Sequence, residues 1–510
     1  MTGEAGGRVA STDAPTPAAV PSWRRATIGV LDVATLLAGL ALLATVTGEG
    51  VRLVVAGIRV SVTTPWRPLA VVIVLAAWRH WLQPSPSQLR RGLDVVGGAW
   101  RSRTMRDVVP IWLASRASVL VVGYLAVILV GFPVKLSWRI SDNEFLNLPA
   151  RWDAGWYLQI AYDGYRWNPD TEGQQNIAFF PAYPLMMRTA AALVRVRHFV
   201  PIGGNSSADM VLATDHVKVA WIGVVLSLVC FLWALVYLHR LARLLTDGDV
   251  EAASGTVLML AAYPFALFYG AVYTEALFLL SAVAAFYHLE RDELGRASVW
   301  GLVAGLARPN GCVISVPLAL VALRRASRGG AGGAGWAVWR TNWQTLTAGL
   351  AAASASGVAM LAFTAYLYGL SGRWFLWLEA HRAWGRTYQA VDQLFAERVT
   401  FISQFGFYEY TSTAPYDLLN ALPVVVMLLM AVPVWRRLGL AYAVFLLVNL
   451  VPPLAAGGFL SMGRVTSVMF PVFVYLGGRL SRPTAESLAV GFAVVQGLLA
   501  ALFFTWRPLY

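Results

Sequence analysis

Arg151-Trp152-Asp153-Ala154-Gly155-Trp156-Tyr157-Leu158-Gln159-Ile160-Ala161-Tyr162-Asp163-Gly164-Tyr165, followed by Phe179-Phe180-Pro181-Ala182-Tyr183-Pro184, is the densest cluster of ionisable and aromatic side chains in a chain that is otherwise mostly apolar. Trp152, Trp156 and Ile160 recur at four-residue spacing, so a helix stacks them on one face, and Gly164 is the residue type that most cheaply ends it. Asp153 then falls in the first turn, where the helix dipole favours a carboxylate and helps to keep it ionised. The pattern reads as a helix lying on a membrane, tryptophans down, with Asp153 at the water boundary. An aromatic belt with a capping Asp fits the same periodicity.

Composition sets the solvent. Of 510 residues, 58% are hydrophobic and 13% charged, and the mean hydropathy is +0.59, far from the balance of soluble domains. An all-α polytopic membrane protein is expected. The net charge of +13 comes from arginines clustered in short loops between apolar runs, as the positive-inside rule requires, so nucleic acid is not an expected partner. Cys230 and Cys312 both lie in apolar segments, which supports neither a disulfide framework nor a thiolate metal site. Residues 1–25 read as a disordered cytoplasmic tail without a cleavable signal.

The arginines also give a topology. Residues 26–134 hold the first membrane helices and the cytoplasmic cluster Arg79, Arg90, Arg91, Arg101, Arg103 and Arg106. The connection Thr47 to Arg67 faces outside, and its alternating Val-Arg-Leu-Val-Val and Ile-Arg-Val-Ser-Val suggest a small hairpin. Residues 135–216 form a long extracytoplasmic loop, in which Phe179 to Val194 is a surface or half-inserted helix broken by Pro181 and Pro184. A central membrane region follows over 217–370. There Ser298 to Leu323 carries charge on both flanks and a break at Pro309-Asn310-Gly311, which predicts a re-entrant or paired-helix hairpin with Arg308 at its tip. Gly329 to Gly335 reads as a flexible linker. An extracytoplasmic loop (371–417) and C-terminal membrane helices (418–510) complete the chain, for about 11–13 transmembrane helices at ~20 apolar residues each. Four clusters, Arg151 to Pro184, Tyr269 to Glu275, Arg373 to Tyr388 and Gly457 to Thr466, fall on the outer side, and one shared site there is the simplest account.

The chemistry narrows by residue type. His-Glu-x-x-His is absent and the six histidines are scattered, so no metal is expected. Asp247-Gly248-Asp249 imitates a metal-holding carboxylate pair but reads as a turn, and the sequon Asn205-Ser206-Ser207 reads as a chance match. Without a phosphate-cradling glycine loop or a nucleophile elbow, an ATP-driven pump is not expected, and no cofactor is implied. The outer surface offers carboxylates (Asp153, Asp163, Glu275), arginines (Arg151, Arg373, Arg386, Arg464) and many rings. Glycosyl transfer from a lipid-phosphate sugar needs this set: a base for the acceptor hydroxyl, cations for the leaving phosphate, rings for sugar and prenyl chain. A snorkelling Arg464 and an ion-paired Glu275 are the structural alternatives. Arg308, if it lies within the membrane, is functional or paired.

These residues resemble a known family. Arg151-Trp152-Asp153-Ala154 with Ile160-Ala161 and Gly164-Tyr165, then Phe179 to Pro184, is similar to the signature of the PIG-V mannosyltransferases, including their actinobacterial relatives. Tyr273-Thr274-Glu275-Ala276-Leu277-Phe278 resembles the family's Tyr-Ser/Thr-Glu-aliphatic-Phe motif, and Ala307-Arg308-Pro309-Asn310-Gly311 its Ala-Arg-x-Asn-Gly motif. A weaker echo lies in Ala383-Trp384-Gly385-Arg386 and Met462-Gly463-Arg464, where an aromatic is expected after the Arg and Val465 stands instead. The resemblance implies a GT-C-like bundle with extracytoplasmic loop helices. It further implies an inverting mannosyltransferase using polyprenyl-phosphate mannose, with Asp153 as catalytic base. Arg151 and Glu275 would shape the sugar site and Arg308 would contact phosphate. Trp152, Trp156, Tyr183, Tyr273, Asn310, Arg386 and Arg464 complete the expected substrate-binding set.

The expected partners are membrane lipid, the polyprenyl-phosphate sugar donor and a glycolipid, lipoglycan or protein acceptor at the outer face of a plasma membrane. Arg-dominated basic usage favours a bacterial enzyme with a cell-envelope acceptor. A transporter or flippase of lipid-linked sugars is the rival from another class, since the same surface would bind and pass such a lipid. A non-catalytic assembly subunit that keeps the fold is the third.

Overall fold

The computed structural model describes scattered residues between 27 and 42 and the segments 51–55, 58–62, 66–82, 102–133, 138–194, 214–328 and 343–509. The N-terminal tail, Arg90, Arg91, Arg101, the sequon at Asn205 and the Gly329 to Gly335 linker lie outside the described residues. The chain divides into two units, 1–98 and 99–510.

In the first unit, Val51–Val55 and Ile58–Val62 pair antiparallel, Val51 opposite Val62 and Val55 opposite Ile58. This is the hairpin expected from alternation. A helix follows at Trp66–Leu82.

The second unit is helical. Six helices among the described residues are long and apolar enough to cross a membrane: Arg103–Leu129, His216–Leu245, Trp343–Ser371, Pro415–Leu438, Leu440–Gly457 and Arg482–Phe504. Leu113, Val121, Leu125 and Ile128 on the first, and Val490, Val494 and Leu498 on the last, are exposed. Large apolar side chains exposed in rows along a helix suit lipid rather than water. The protein is therefore a multi-pass membrane protein.

The number of long spans among the described residues is lower than apolar runs alone suggest, because the run from Ala26 is described only in part, Trp66–Leu82 and Glu275–Glu290 are 17 and 16 residues long, and other runs are bent or cut. The run 252–270 folds by 81° between Val250–Ala262 and Pro264–Gly270, and counting that pair as one span raises the total to seven. Apolar backbone bent in this way must find other partners for its carbonyls. Arg116 supplies them, donating to Ala266 O (2.6 Å) and Ala261 O (3.2 Å), and Gln496 donates to Ala261 O (3.2 Å) and Tyr263 O (2.7 Å). The run 465–480 is likewise divided, between Met462–Thr466 and Phe470–Gly477. Ala182–Leu193 corrects the sequence reading in the other direction. Pro181 is its N-cap and Pro184 lies in its first turn, where proline is tolerated because no intrahelical N–H is needed there, so the helix is unbroken.

Leu294–Ala307 and Ser315–Arg328 flank a 3-10 turn at Pro309–Ile314, and both lean on Trp343–Ser371. A Cβ at Gly301 would lie 3.4 Å from Ala355 Cβ, and one at Gly305 would lie 3.0 Å from Ala359 Cβ. Ser315 Oγ bonds Ser356 Oγ (2.7 Å), and Gly349 faces Ala322. The first helix thus ascends its partner and the second descends it, with Arg308 at the turn. Asp247 and Gly248 have φ of 52° and 89°, and Asp249 accepts from Ala252 N–H (3.0 Å) as a helix cap. That pair of aspartates is a turn and a cap.

Candidate active site

Asp153 is presented by a strained turn. Trp152 has φ 52°, a left-handed conformation that costs a bulky residue about 1–2 kcal/mol. It is held there by its indole N–H, which donates to Phe503 O (3.2 Å), and by ring packing on Trp506 (5.0 Å between centroids). The helix begins at Ala154, two residues after the Trp152 that the periodicity placed within it, and ends at Asp163 with Gly164 (φ 75°) donating back to Ile160 O. Asp153 is its N-cap, yet its side chain makes no cap bond. The carboxylate instead accepts from Arg464 Nη1 at 2.9 Å, while the Asp153 backbone N–H donates to Tyr273 Oη (3.0 Å).

Arg464 is the centre of a buried charge cluster. Its Nε also lies 3.2 Å from Glu275 Oε1, and Arg308 Nη1 approaches the same oxygen at 3.2 Å. Glu275 opens the helix Glu275–Glu290, where the dipole favours a carboxylate. Its side chain is 1% exposed against 27% for Asp153, and Oε2 of Glu275 has no hydrogen-bond partner. Arg464 further sits over the rings of Tyr273 (5.2 Å) and Phe268 (5.8 Å). Two neighbours hold its short helix. Gly463 passes so close to Phe265 that an added Cβ would lie 2.1 Å from the ring, and its N–H donates to Asn420 Oδ1 (2.7 Å). Ser461, the N-cap of that helix, is left-handed (φ 59°). Both sides of the Asp153–Arg464 pair thus rest on strained non-glycine residues, as functional constellations often do.

Asp153 and Arg464 face a cavity of about 430 Å³ walled by Trp152, Trp156, Phe268, Tyr273, Trp384 and Trp506. Trp156 and Trp384 also contact Phe179 (5.8 and 5.6 Å), so the tryptophans of the opening stretch line a pocket rather than face lipid. Arg386 enters the same cavity. Burial, and then the neighbouring Arg464, lower its pKa to about 10. Against two carboxylates the cavity region thus gathers three guanidiniums, which favours an anionic guest. Behind the wall, His381 donates from Nδ1 to Trp377 O (2.6 Å), and burial pushes its pKa down to about 4.

Of the expected site residues, Trp152, Asp153, Trp156, Tyr273, Arg386 and Arg464 line this cavity, and Glu275 and Arg308 join it through ion pairs. Three do not line it. Arg151 is 1% exposed and donates to the carbonyls of Phe504 (2.7 Å), Asn147 (2.6 Å) and Ala150 (2.8 Å). It ties the loop to the end of Arg482–Phe504. Tyr183 donates to Gly223 O (2.8 Å) inside the bundle, and Asn310 donates to Asn449 Oδ1 (2.8 Å). Asp163 pairs with Arg166 and Arg373 with Glu379, both apart from the cavity lining. Sequence reasoning did not single out Trp138, Phe268 or Trp506. Each reaches the cavity through long-range packing that no local pattern reveals. Among the described residues, no group of three or more His, Cys, Asp or Glu has an arrangement that would hold a metal.

Comparison with known proteins agrees with the motifs over part of the chain. A family model described as mannosyltransferase (PIG-V) matches residues 129–370, which bears out the resemblance carried by the motifs. The chain is 34% identical to the GPI alpha-1,6-mannosyltransferase 2 of Mus musculus over 167 residues, and 30% identical to that of Homo sapiens over 164. Each match covers 32% of this chain and 29% of the relative, so the aligned part spans under a third of either protein. A crystal structure of ArnT from Cupriavidus metallidurans bound to undecaprenyl phosphate is similar at 15% identity and a TM-score of 0.37, covering 75% of this chain and 63% of that one.

Proposed function

We propose that this chain, whose residues 129–370 match the PIG-V mannosyltransferase model, is an inverting membrane mannosyltransferase. It takes mannose from a polyprenyl-phosphate donor to a hydroxyl of a cell-envelope glycolipid, lipoglycan or protein at the outer membrane face. Its fold is a GT-C-like bundle. The observation that carries the reading is the carboxylate of Asp153 facing an aromatic-walled cavity that arginines also enter. Mannose is supported by the family description and by the names of the curated relatives. The outer face is supported by Arg482 standing at the end of its helix opposite Phe503, which lines the cavity, and by Arg436 and Arg437 at the end of Pro415–Leu438 opposite Asn420, which holds Gly463 beside Arg464.

In this mechanism Asp153 accepts the proton of the acceptor hydroxyl while that oxygen bonds to C1 of the sugar. The C1–O bond to phosphate breaks, and the phosphate leaves as an anion with the bonding pair. Arg386 and Arg464 stabilise the charge that develops on it, and Trp156 and Trp384 bracket the sugar. Glu275 holds Arg308 and Arg464 in place. The test is transfer of radiolabel from polyprenyl-phosphate mannose into a lipid extract. Label moves to a new product with wild type and not with Asp153→Asn. A fully active Asn variant refutes the base, and donor that binds without any transfer by wild type refutes the transferase.

A further inference from the structure

A second hollow lies beside the first, and nothing in the mechanism above uses it. It has a volume of about 360 Å³, within the range of small-ligand pockets, and is lined among others by Thr387, Gln389, Arg398, Tyr416, Asp417 and Asn420. Its wall is shared. In the strap after the 381–384 turn, Trp384 and Arg386 face the cavity of Asp153, whereas Gly385, left-handed at φ 72°, and Thr387 border the second pocket. Leu460 borders both. The strap is fixed by Gln389 N–H donating to Ala455 O (2.9 Å). The floor is fixed by Asn420, which accepts from Gly463 N–H next to Arg464. A guest in this pocket is therefore one layer of chain from the reacting groups.

The lining states what the guest is. Arg398 is bonded to Asp417 (3.2 Å) and to Glu397 (3.0 Å), and Tyr410 donates to Asp417 Oδ2 (2.5 Å). The two charged residues of the lining, Arg398 and Asp417, thus neutralise each other, unlike the Asp153 cavity with its surplus guanidinium. Asn420 is likewise committed, donating to Tyr416 O and Leu509 O and accepting from Gly463 N–H, so what remains for a guest is the hydroxyls of Thr387 and Tyr416, the amide oxygen of Gln389 and the backbone of Gly385, Gly457 and Gly458. Such groups read vicinal hydroxyls, and a site built to hydrogen-bond them rejects guests that lack them. Leu394, Phe459 and Leu460 on the same lining suit the C–H face of a sugar ring, and an anion does not match this chemistry.

We propose that this second pocket is the acceptor subsite and takes a neutral, polyhydroxylated sugar headgroup, directing one hydroxyl past the strap toward Asp153. The assignment rests on the transferase reading above and selects a glycan-bearing acceptor over a protein hydroxyl.

The experiment uses the full chain in detergent, octyl α-D-mannopyranoside as the probe, and the variants Thr387→Trp, which fills the pocket, and Tyr416→Phe, which removes one hydroxyl. Binding of the probe is followed by saturation-transfer NMR, and transfer onto it with radiolabelled polyprenyl-phosphate mannose. The expected result is probe binding to wild type, loss of that binding in Thr387→Trp, and an acceptor KM raised tenfold or more with donor KM unchanged. Tyr416→Phe gives a smaller rise of the same kind. Probe binding that survives Thr387→Trp, a raised donor KM instead of acceptor KM, or no probe binding to wild type overturns the proposal. If wild type binds the probe through Thr387 but never transfers label, the pocket stands and the transferase reading falls. If label moves equally well with every variant, the reverse holds.

Discussion

Two carboxylates touch Arg464, and neutralising them one at a time has opposite consequences. Glu275 is 1% exposed and faces both Arg308 and Arg464 at 3.2 Å. Breaking a buried pair by removing one partner costs ~3–5 kcal/mol, because the remaining charge is left uncompensated. Arg464 retains Asp153, so Glu275→Gln falls at the lower end, about 3 kcal/mol, most of it from Arg308 losing its counter-ion. Asp153 is 27% exposed and bonds one guanidinium. An Asn there still accepts that hydrogen bond, so Asp153→Asn costs about 1 kcal/mol or less, the range of a solvent-screened pair. Its effect on transfer is the larger one, a loss of ~10²–10⁴-fold expected when a general base is removed. Equilibrium unfolding in mixed SDS–detergent micelles measures the first quantity and single-turnover transfer the second. In a double-mutant cycle, Glu275→Gln with Arg308→Gln is less damaging than the sum of the singles by about 1–3 kcal/mol, since the orphaned charge is removed with its partner. The reasoning is refuted if Asp153→Asn destabilises as much as Glu275→Gln, or if it retains wild-type transfer.

Arg386 has no hydrogen bond or ion pair to a carboxylate among the described residues, and burial and Arg464 both depress its pKa to about 10. Arg386→Gln therefore leaves unfolding free energy unchanged or slightly raised while raising donor KM tenfold or more, read by titrating donor at saturating acceptor. Arg151 behaves in the opposite way. Arg151→Met removes three hydrogen bonds to backbone carbonyls and destabilises by about 3 kcal/mol, charge-assisted bonds being worth ~1.5–3 each before relief of desolvation, with donor KM unchanged in the folded fraction. His381 gives a pH dependence. Its folded pKa of about 4 lies below the ordinary 6.5, so between these values the unfolded chain binds the extra proton. The stability from keeping the imidazole neutral is full above pH ~6.5 and is lost as pH falls toward 4, at most about 3 kcal/mol. Unfolding of His381→Gln between pH 7 and 4 shows a flatter profile than wild type.

What the sequence carried and what it did not divides along contact range. The alternation in Val51–Val62, the termination at Gly164 and the turn of Asp247 to Asp249 depend on residues a few positions apart, and local chemistry sufficed for each. The gathering of four distant clusters was also legible, because arginine placement fixes which loops share a side of the membrane without any contact being known. Side-chain direction was not. Arg151 and Asp153 are two residues apart in one motif, yet the left-handed Trp152 between them turns the first into a cage of carbonyls and the second into the cavity. Periodicity assumed a helix through Trp152, and a helix excludes that reversal. The bend at Tyr263 escaped for a related reason. Hydropathy sees an unbroken apolar run, whereas the carbonyls freed by the bend are satisfied by Arg116 and Gln496, which lie 145 and 235 residues from Ala261. Asp153 and Arg464 are 311 residues apart, and a carboxylate read alone presents itself as an unencumbered base. In the folded chain it is already bonded to a guanidinium, Arg464 Nη1 at 2.9 Å. The contact that the sequence concealed therefore sets the proposed base directly against one of the cations proposed to receive the leaving phosphate, at the mouth of one aromatic-walled cavity.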